Sequence, residues 1–282
     1  MKKILVTGAT GFIGQYVISR LLETGCRVIA SSVNEEKARQ ASWFDKVEYL
    51  PFDLADLEPS VDYYQWFGQP DSLVHLAWEG LPDYRSPLHM DLYLSRHAAF
   101  LNNLAAGGLR DLNVTGTCLE YGLQEGLLRE ELPAMPVVPY AQAKNALRYY
   151  LADLQKEFPF TLKWIRLFYM YGKGQNPNSL LSQLDRALDN NEPVFNMSGG
   201  EQRRDYLPVD KLADYLCRIV LQQEVTGLIN CCSGIPVTVK ELVLDHMKER
   251  NKYIALNLGF YAYPDYEPMN FWGDTTKLKT IR

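Results

Sequence analysis

The 282-residue chain is short of several things, and each shortage narrows what it can be. It has no excess of basic residues: 29 Lys and Arg stand against 34 Asp and Glu, a net charge of −5. That balance offers no long-range attraction to nucleic acid or an anionic membrane, so neither is expected as a partner. An anionic ligand must instead be held by local arginines and helix ends. No stretch approaches the ~20 apolar residues needed to cross a bilayer. The opening MKKILVTGATGFIG has a short apolar run that leads straight into glycines, unlike the core of a secretory signal. Cysteine is sparse: residues 26, 118, 217, 231 and 232 form no C-x-x-C, and the adjacent pair suits neither a disulfide framework nor a zinc site. Reduced thiols in a cytoplasmic protein are the expectation. Internal repeats and low-complexity tracts are also missing.

What is present is a chain 47% apolar and 22% charged, enough to bury a large core. Short β-branched runs alternate with longer helical patterns. KILVT (3–7) precedes a helix from about 12 to 24, and RVIAS (27–31) precedes a charged helix from about 34. KVEYL (46–50), SLVHLA (72–77) and DLNVT (111–115) continue the series, with a helix over 89–106 before the last. A helix over 139–157 then leads to a sixth strand, LKWIRLF. Strand and helix in alternation imply parallel pairing with right-handed crossovers, hence an α/β doubly wound parallel sheet. Beyond residue 168 the rhythm breaks into Gly-, Asn- and Pro-rich loops with helices near 178–190, 209–223 and 238–250. The division expected is a dinucleotide-binding domain over 1–167 and a smaller substrate-binding annex over 168–282, with about 205–226 packing back on the first.

VTGATGFIG sets Gly8, Gly11 and Gly14 three apart between the first strand and first helix. Glycines there allow a tight turn, let backbone approach a pyrophosphate and bring the helix close to the sheet, while the helix N-terminus offers free N–H groups. PYAQAKNALRYYL places Tyr140 one turn ahead of Lys144 on an amphipathic helix. A second Tyr-x-x-x-Lys, Tyr169 to Lys173, contains Gly172 and has no helical periodicity. With 18 tyrosines in the chain, spacing alone cannot separate the two.

The G-x-x-G-x-x-G spacing with Thr7 in front resembles the extended short-chain dehydrogenase/reductase family of nucleotide-sugar epimerases, dehydratases and ketoreductases, a Rossmann fold. The resemblance covers nearly the whole chain and implies a cofactor bed of Gly8, Thr10, Gly11, Phe12, Ile13 and Gly14. FDLAD matches the family's Asp-Leu after the third strand, so Asp53, with Leu54, would touch adenine; HLAW matches its His-Leu-Ala-Ala, so His75 and Ala77 would line the bed. At the end of the second strand stand Ser31 and Ser32, with Lys37 and Arg39 downstream, where NAD-binding members carry an acid. Without a carboxylate to repel a 2′-phosphate, the expectation favours NADP(H), with NAD(H) as the alternative.

In that family the Tyr-Lys pair begins the helix after the fifth strand, which selects Tyr140 and Lys144, both also touching cofactor. A free phenol titrates near 10, and an ammonium one turn away, helped by oxidised nicotinamide, lowers it towards working range. TGTCLEYG resembles the family's SSxxVYG and sets Thr117 on the catalytic hydroxyl. Dehydratases place Asp-Glu directly after that residue, where this chain has Cys118 and Leu119. Combined 3,5-epimerase/reductases place a cysteine where Leu119 stands, which leaves Cys118 a packed thiol close to the substrate. QRRDYLPVD resembles RDYxxVxD, so Arg204, with Arg203 a weaker candidate, would bind a substrate diphosphate. Trp78 and Tyr169 are further substrate-side candidates, Tyr169 replacing the family's Asn in RxxNVYG. Tyr261, Tyr263, Tyr266 and Trp272 are expected to pack the annex. Three functions are weighed, and the missing strand-two acid and the short chain favour the first, with a dTDP-linked substrate expected. The first is NAD(P)H-dependent reduction at C4 of a nucleotide-linked 4-keto-6-deoxyhexose, as in ketoreductases of bacterial surface-polysaccharide pathways. The others are 4-epimerisation with tightly held NAD, and cofactor sensing without chemistry. Family members usually dimerise through the helices corresponding to 89–106 and 139–157, so a homodimer is expected.

Overall fold

The computed structural model describes residues 1–281. The β-branched runs form seven parallel strands: β1 (Lys3–Thr7), β2 (Arg27–Ser31), β3 (Glu48–Tyr49), β4 (Ser72–His75), β5 (Asp111–Thr117), β6 (Thr161–Leu167) and β7 (Gly227–Cys231). Their order across the sheet is β3-β2-β1-β4-β5-β6-β7. The order reverses between β1 and β4, and such a switch point opens a ligand crevice beyond the carboxyl ends of the strands. Strands β1, β2, β4, β5 and β6 are almost wholly buried, as a sheet covered on both faces requires, while the edge strands β3 and β7 are more exposed.

Four helices cover the faces: α1 (Phe12–Glu23), α2 (Leu94–Gly107), α3 (Pro139–Leu154) and α4 (Val209–Leu221). Val17 and Leu21 of α1 join Leu212, Leu216 and Ile219 of α4 on one face. Leu101 and Leu104 of α2 join Leu147 and Leu151 of α3 on the other. In α3 the buried stripe is Tyr140, Lys144, Leu147, Leu151 and Leu154, a helical repeat whose apolar end fastens the helix to the sheet. Tyr140 and Lys144 therefore inherit their direction from leucines further along the same face.

The doubly wound α/β sheet follows the expectation, with differences at its margins. The third strand shrinks to two residues because Phe44–Lys46 forms a 3-10 turn at the sheet edge. The helix expected over 89–106 opens with a wide π-type turn, His89–Tyr93, before α2 begins. Strand β7 was not expected; it pairs along β6 from Gly227 to Cys231, beside α4. The remaining C-terminal elements form small sheets. Strand Arg203–Pro208 lies between Tyr169–Tyr171, parallel, and Pro236–Thr238, antiparallel. Helices Leu180–Asp189 and Val239–Glu249 meet through Leu184 and Val243.

Candidate active site

A cleft of about 310 Å³ lies beyond the carboxyl ends of β1, β2 and β4. Gly8, Thr10 and Gly11 form its floor; Ser31 and Ser32 one end; Asp53, Leu54, Ala77 and Trp78 the walls. Gly8 has φ +72°, and a Cβ there would lie 2.8 Å from the Ala77 nitrogen. A Cβ at Gly14 would lie 2.4 Å from the Gly8 carbonyl oxygen, so the glycines set both the turn and the approach of α1 to β1. The first turn of α1 has neither a side-chain cap nor an acid, whereas helix Val239–Glu249 carries a full capping box on Thr238. Uncapped N–H groups at a glycine-floored crevice fit a dinucleotide pyrophosphate.

Several residues expected at this cleft stand elsewhere. The Arg39 guanidinium turns outward to Glu35 at 2.5 Å and over the Phe44 ring, because one helical turn joins it to that carboxylate. His75 is fully buried and faces inward, not into the bed. Its Nδ1 meets Thr7 Oγ1 at 2.8 Å and its Nε2 meets His97 Nδ1 at 2.8 Å. Burial, then the Lys144 charge, lowers its pKa to about 3; Leu76 and Ala77 supply the wall instead. The Phe12 ring packs beside Tyr16 and near Gly172 and Gly174, and Ile13 packs on the core, so only their backbone faces the loop. Asp53 remains on the wall while its Oδ1 accepts from the Ala55 N–H at 2.9 Å.

Thr117, Tyr140 and Lys144 converge at the end of β5. Pro139 begins α3, where its missing N–H costs nothing, and the Tyr140 N–H donates to the Tyr84 carbonyl at 3.1 Å. The Tyr140 phenol is buried, and that burial, followed by Tyr84, raises it above its ordinary value; the Thr117 hydroxyl pulls the other way. This differs from the expectation that Lys144 lowers it. Lys144 is 2% exposed, and its Nζ donates to the Thr115 carbonyl at 2.8 Å and lies 4.0 Å from the Trp78 ring centroid. Burial lowers the ammonium to about 7 against an upward pull from Glu120.

Glu120 is the larger omission from the sequence reading. Its carboxylate, 0% exposed, accepts from the Thr117 N–H at 2.9 Å, from Trp164 Nε1 at 3.0 Å and from Arg166 Nε at 2.8 Å. It thereby fixes the peptide that carries the Thr117 hydroxyl. A charged residue inside an otherwise buried strand-end motif was the available signal.

On the substrate side, Arg204 is 3% exposed and fully engaged. Nε and Nη2 donate to Glu267 at 3.3 and 3.0 Å, and Nη1 to the carbonyls of Arg203 and Met269. The Tyr169 hydroxyl donates to the other Glu267 oxygen. Arg203, on the opposite strand face, is exposed. Cys118 sits in an apolar cluster with Tyr121, Phe168 and Phe271, its thiol raised by burial, so it is packed and not presented to a ligand. The segment carrying Glu267 crosses the site: Asp265 pairs with Arg85, Tyr266 packs on Tyr84, and Tyr84 packs on Tyr140 at 5.4 Å. Tyr261 and Tyr263 are exposed and not packed in the annex. In the second Tyr-x-x-x-Lys, Tyr169 lies on a strand and Lys173 is exposed.

Residues 4–232 match the model of the NAD dependent epimerase/dehydratase family. The chain is 31% identical, over 96% of its length and 98% of the relative's, to dTDP-6-deoxy-L-talose 4-dehydrogenase (NAD(+)) of Aggregatibacter actinomycetemcomitans. It is 27% identical, over 99% of its length and 90% of the relative's, to GDP-6-deoxy-D-talose 4-dehydrogenase of the same organism. Among solved structures, UDP-glucuronic acid 4-epimerase from Bacillus cereus, in complex with UDP-glucuronic acid and NAD, superposes with a TM-score of 0.83 at 21% identity. That match covers 99% of this chain and 92% of the other.

Proposed function

This chain belongs to the NAD dependent epimerase/dehydratase family, and we propose that it is an oxidoreductase acting at C4 of a nucleotide-linked 6-deoxyhexose, reducing the 4-keto sugar. The observation that carries this reading is the convergence of Thr117, Tyr140 and Lys144 beside the glycine-floored cleft. The relative at 31% identity is named for the same bond run towards oxidation. A bound nicotinamide dinucleotide supplies or accepts the hydride.

Tyr140 holds the proton at its Oη and gives it to the oxygen at C4. A phenol kept protonated by burial suits reduction, because the alkoxide forming at C4 is the stronger base. The Thr117 hydroxyl donates to the same oxygen, and the Lys144 ammonium stabilises the phenolate left behind. For Arg204 to hold a diphosphate, Glu267 must leave it, so substrate entry displaces that carboxylate.

For the cofactor we favour NAD(H) over the NADP(H) expected from sequence. Ser31, Ser32, Val33 and Asn34 line the adenosine end of the cleft and none is a cation, while Arg39 stands outside the cleft lining in an exposed pair with Glu35. The buried thiols suit a cytoplasmic protein. A homodimer would use the outer faces of α2 and α3, where Tyr149 is 55% exposed; sedimentation showing a monomer would remove that part of the reading.

The test mixes the protein with a dTDP-linked 4-keto-6-deoxyhexose and follows absorbance of NADH and NADPH. Steady oxidation with NADH favoured supports the proposal. Unchanged absorbance there, with inversion at C4 of a 4-hydroxy nucleotide sugar supplied with NAD, identifies an epimerase instead, and neither turnover nor inversion returns the chain to cofactor sensing.

A further inference from the structure

We propose that Trp78 is a positioning residue for the acid–base pair, its indole face holding the Lys144 ammonium in place and charged between the dinucleotide cleft and the Tyr140 phenol. The inference builds on the assignment of Tyr140 and Lys144 as that pair. Lys144 Nζ lies 4.0 Å from the Trp78 ring centroid. The His97 imidazole stacks on the same indole at 4.3 Å between centroids and 8° between planes. One ring face has no room for both, so the indole is sandwiched.

Its edges are held as well. Trp78 Nε1 donates to His89 Nδ1 at 3.1 Å, and His89 Nε2 donates to the Asp83 carbonyl at 2.7 Å, which makes Nδ1 the acceptor. Tyr140 meets the indole edge-on at 6.0 Å and 71°. Trp78 also forms part of the cleft wall, next to Ala77. It thus stands fixed where the cofactor cleft meets the acid–base pair, with Lys144 against one face and His97 against the other.

The indole face solves a specific difficulty for Lys144. A buried ammonium without a counter-charge tends to discharge, and its direct partners here are a carbonyl oxygen and a ring face. The charged and titratable groups facing it are Glu120 from the turn after β5, His75 from β4, His97 from α2 and Tyr140 from its own helix. Both histidines are held neutral by burial, so neither competes with the ammonium for the ring. Glu120 is shared among the Thr117 N–H, Trp164 and Arg166. An aromatic face attracts the cation and not the free amine, so it favours the charged form without adding a carboxylate beside a site that must accept electron density from Tyr140.

The test is an NMR titration of the full-length protein labelled with [13C]lysine, with and without NAD. The Lys144 Cε resonance is identified by its loss in Lys144→Met. In the wild-type chain without NAD it is expected to titrate near 7. Trp78→Leu lowers that midpoint by roughly one unit, and Trp78→Phe, which keeps a ring face, by less. In the activity arm, the kcat/KM loss of Trp78→Leu is greater above the wild-type midpoint than below it, and Phe restores most of it. A Lys144 midpoint unchanged or raised in Trp78→Leu overturns the proposal. Should Trp78→Leu not fold, Trp78→Phe decides alone: a lowered midpoint supports and an unchanged one refutes. A Tyr140→Phe chain with full turnover would sink the acid–base assignment, while the titration would still report the Trp78–Lys144 contact.

Discussion

Removing the Tyr140 hydroxyl takes away one oxygen and the proton it carries, while Tyr84, Trp78 and His89 still pack the ring. Tyr140→Phe is expected to fold and bind dinucleotide while kcat falls by about 10²–10⁴-fold, the usual worth of a positioned acid–base group; isothermal titration with NAD and steady-state rates check the two halves. Lys144 gives a prediction in pH. Its ammonium is lowered from 10.5 to about 7 in the folded chain, so between those values the unfolded chain binds more protons. Stability from this group therefore rises with pH across that window and is lost as pH falls through it, by up to about 1.4 kcal/mol per unit. Urea unfolding at pH 7.5 and 9.5 should show a rise that Lys144→Met flattens. At this scale the sequence is readable where placement is local, as with Tyr140 and Lys144 on one buried helix face. Glu267 is silent because its partners, Arg204 and Tyr169, lie far away in the chain. His75 misleads because its destination depends on His97, which arrives from another helix.

Between β1 and α1, geometry leaves no slack. A methyl at Gly14 would press on the Gly8 carbonyl at 2.4 Å, and backbone cannot step aside as a flexible side chain can. Gly14→Ala should cost roughly 2 kcal/mol or more in urea unfolding and should abolish NAD binding, since the helix can relieve the contact only by leaving the loop. An unchanged unfolding midpoint would show that α1 tolerates displacement. The strands and helices through β6 were legible because hydrophobic period and turn residues agree there. The short β3 was overread because Phe44–Lys46 takes a turn at the sheet edge. Strand β7 goes unread because Gly-Leu-Ile-Asn-Cys lies beyond residue 168, where the strand–helix rhythm has broken, and its partner is chosen by the bare edge of β6.

Across the whole molecule, the segment from Tyr263 to Glu267 joins parts that chain order keeps apart. Tyr263 bonds Glu201, Asp265 pairs with Arg85, and Glu267 closes on Arg204 and Tyr169. Neutralising its innermost anchor should free the guanidinium. Glu267→Gln is therefore expected to bind dTDP about tenfold more tightly than the unaltered chain, roughly 1.4 kcal/mol, in a calorimetric titration. Weaker binding would mean that Glu267 itself helps hold the ligand.

The late placement of β7 reaches beyond the finished molecule. As the polypeptide leaves the ribosome, β1 to β6 emerge long before Gly227 is translated, so the nascent sheet waits with the β6 edge unpaired and the α4-covered flank of α1 bare. An open parallel edge beside naked aliphatic surface invites association with other chains. A message cut short between β6 and α4 should therefore yield an aggregating fragment in place of a smaller nucleotide-binding protein.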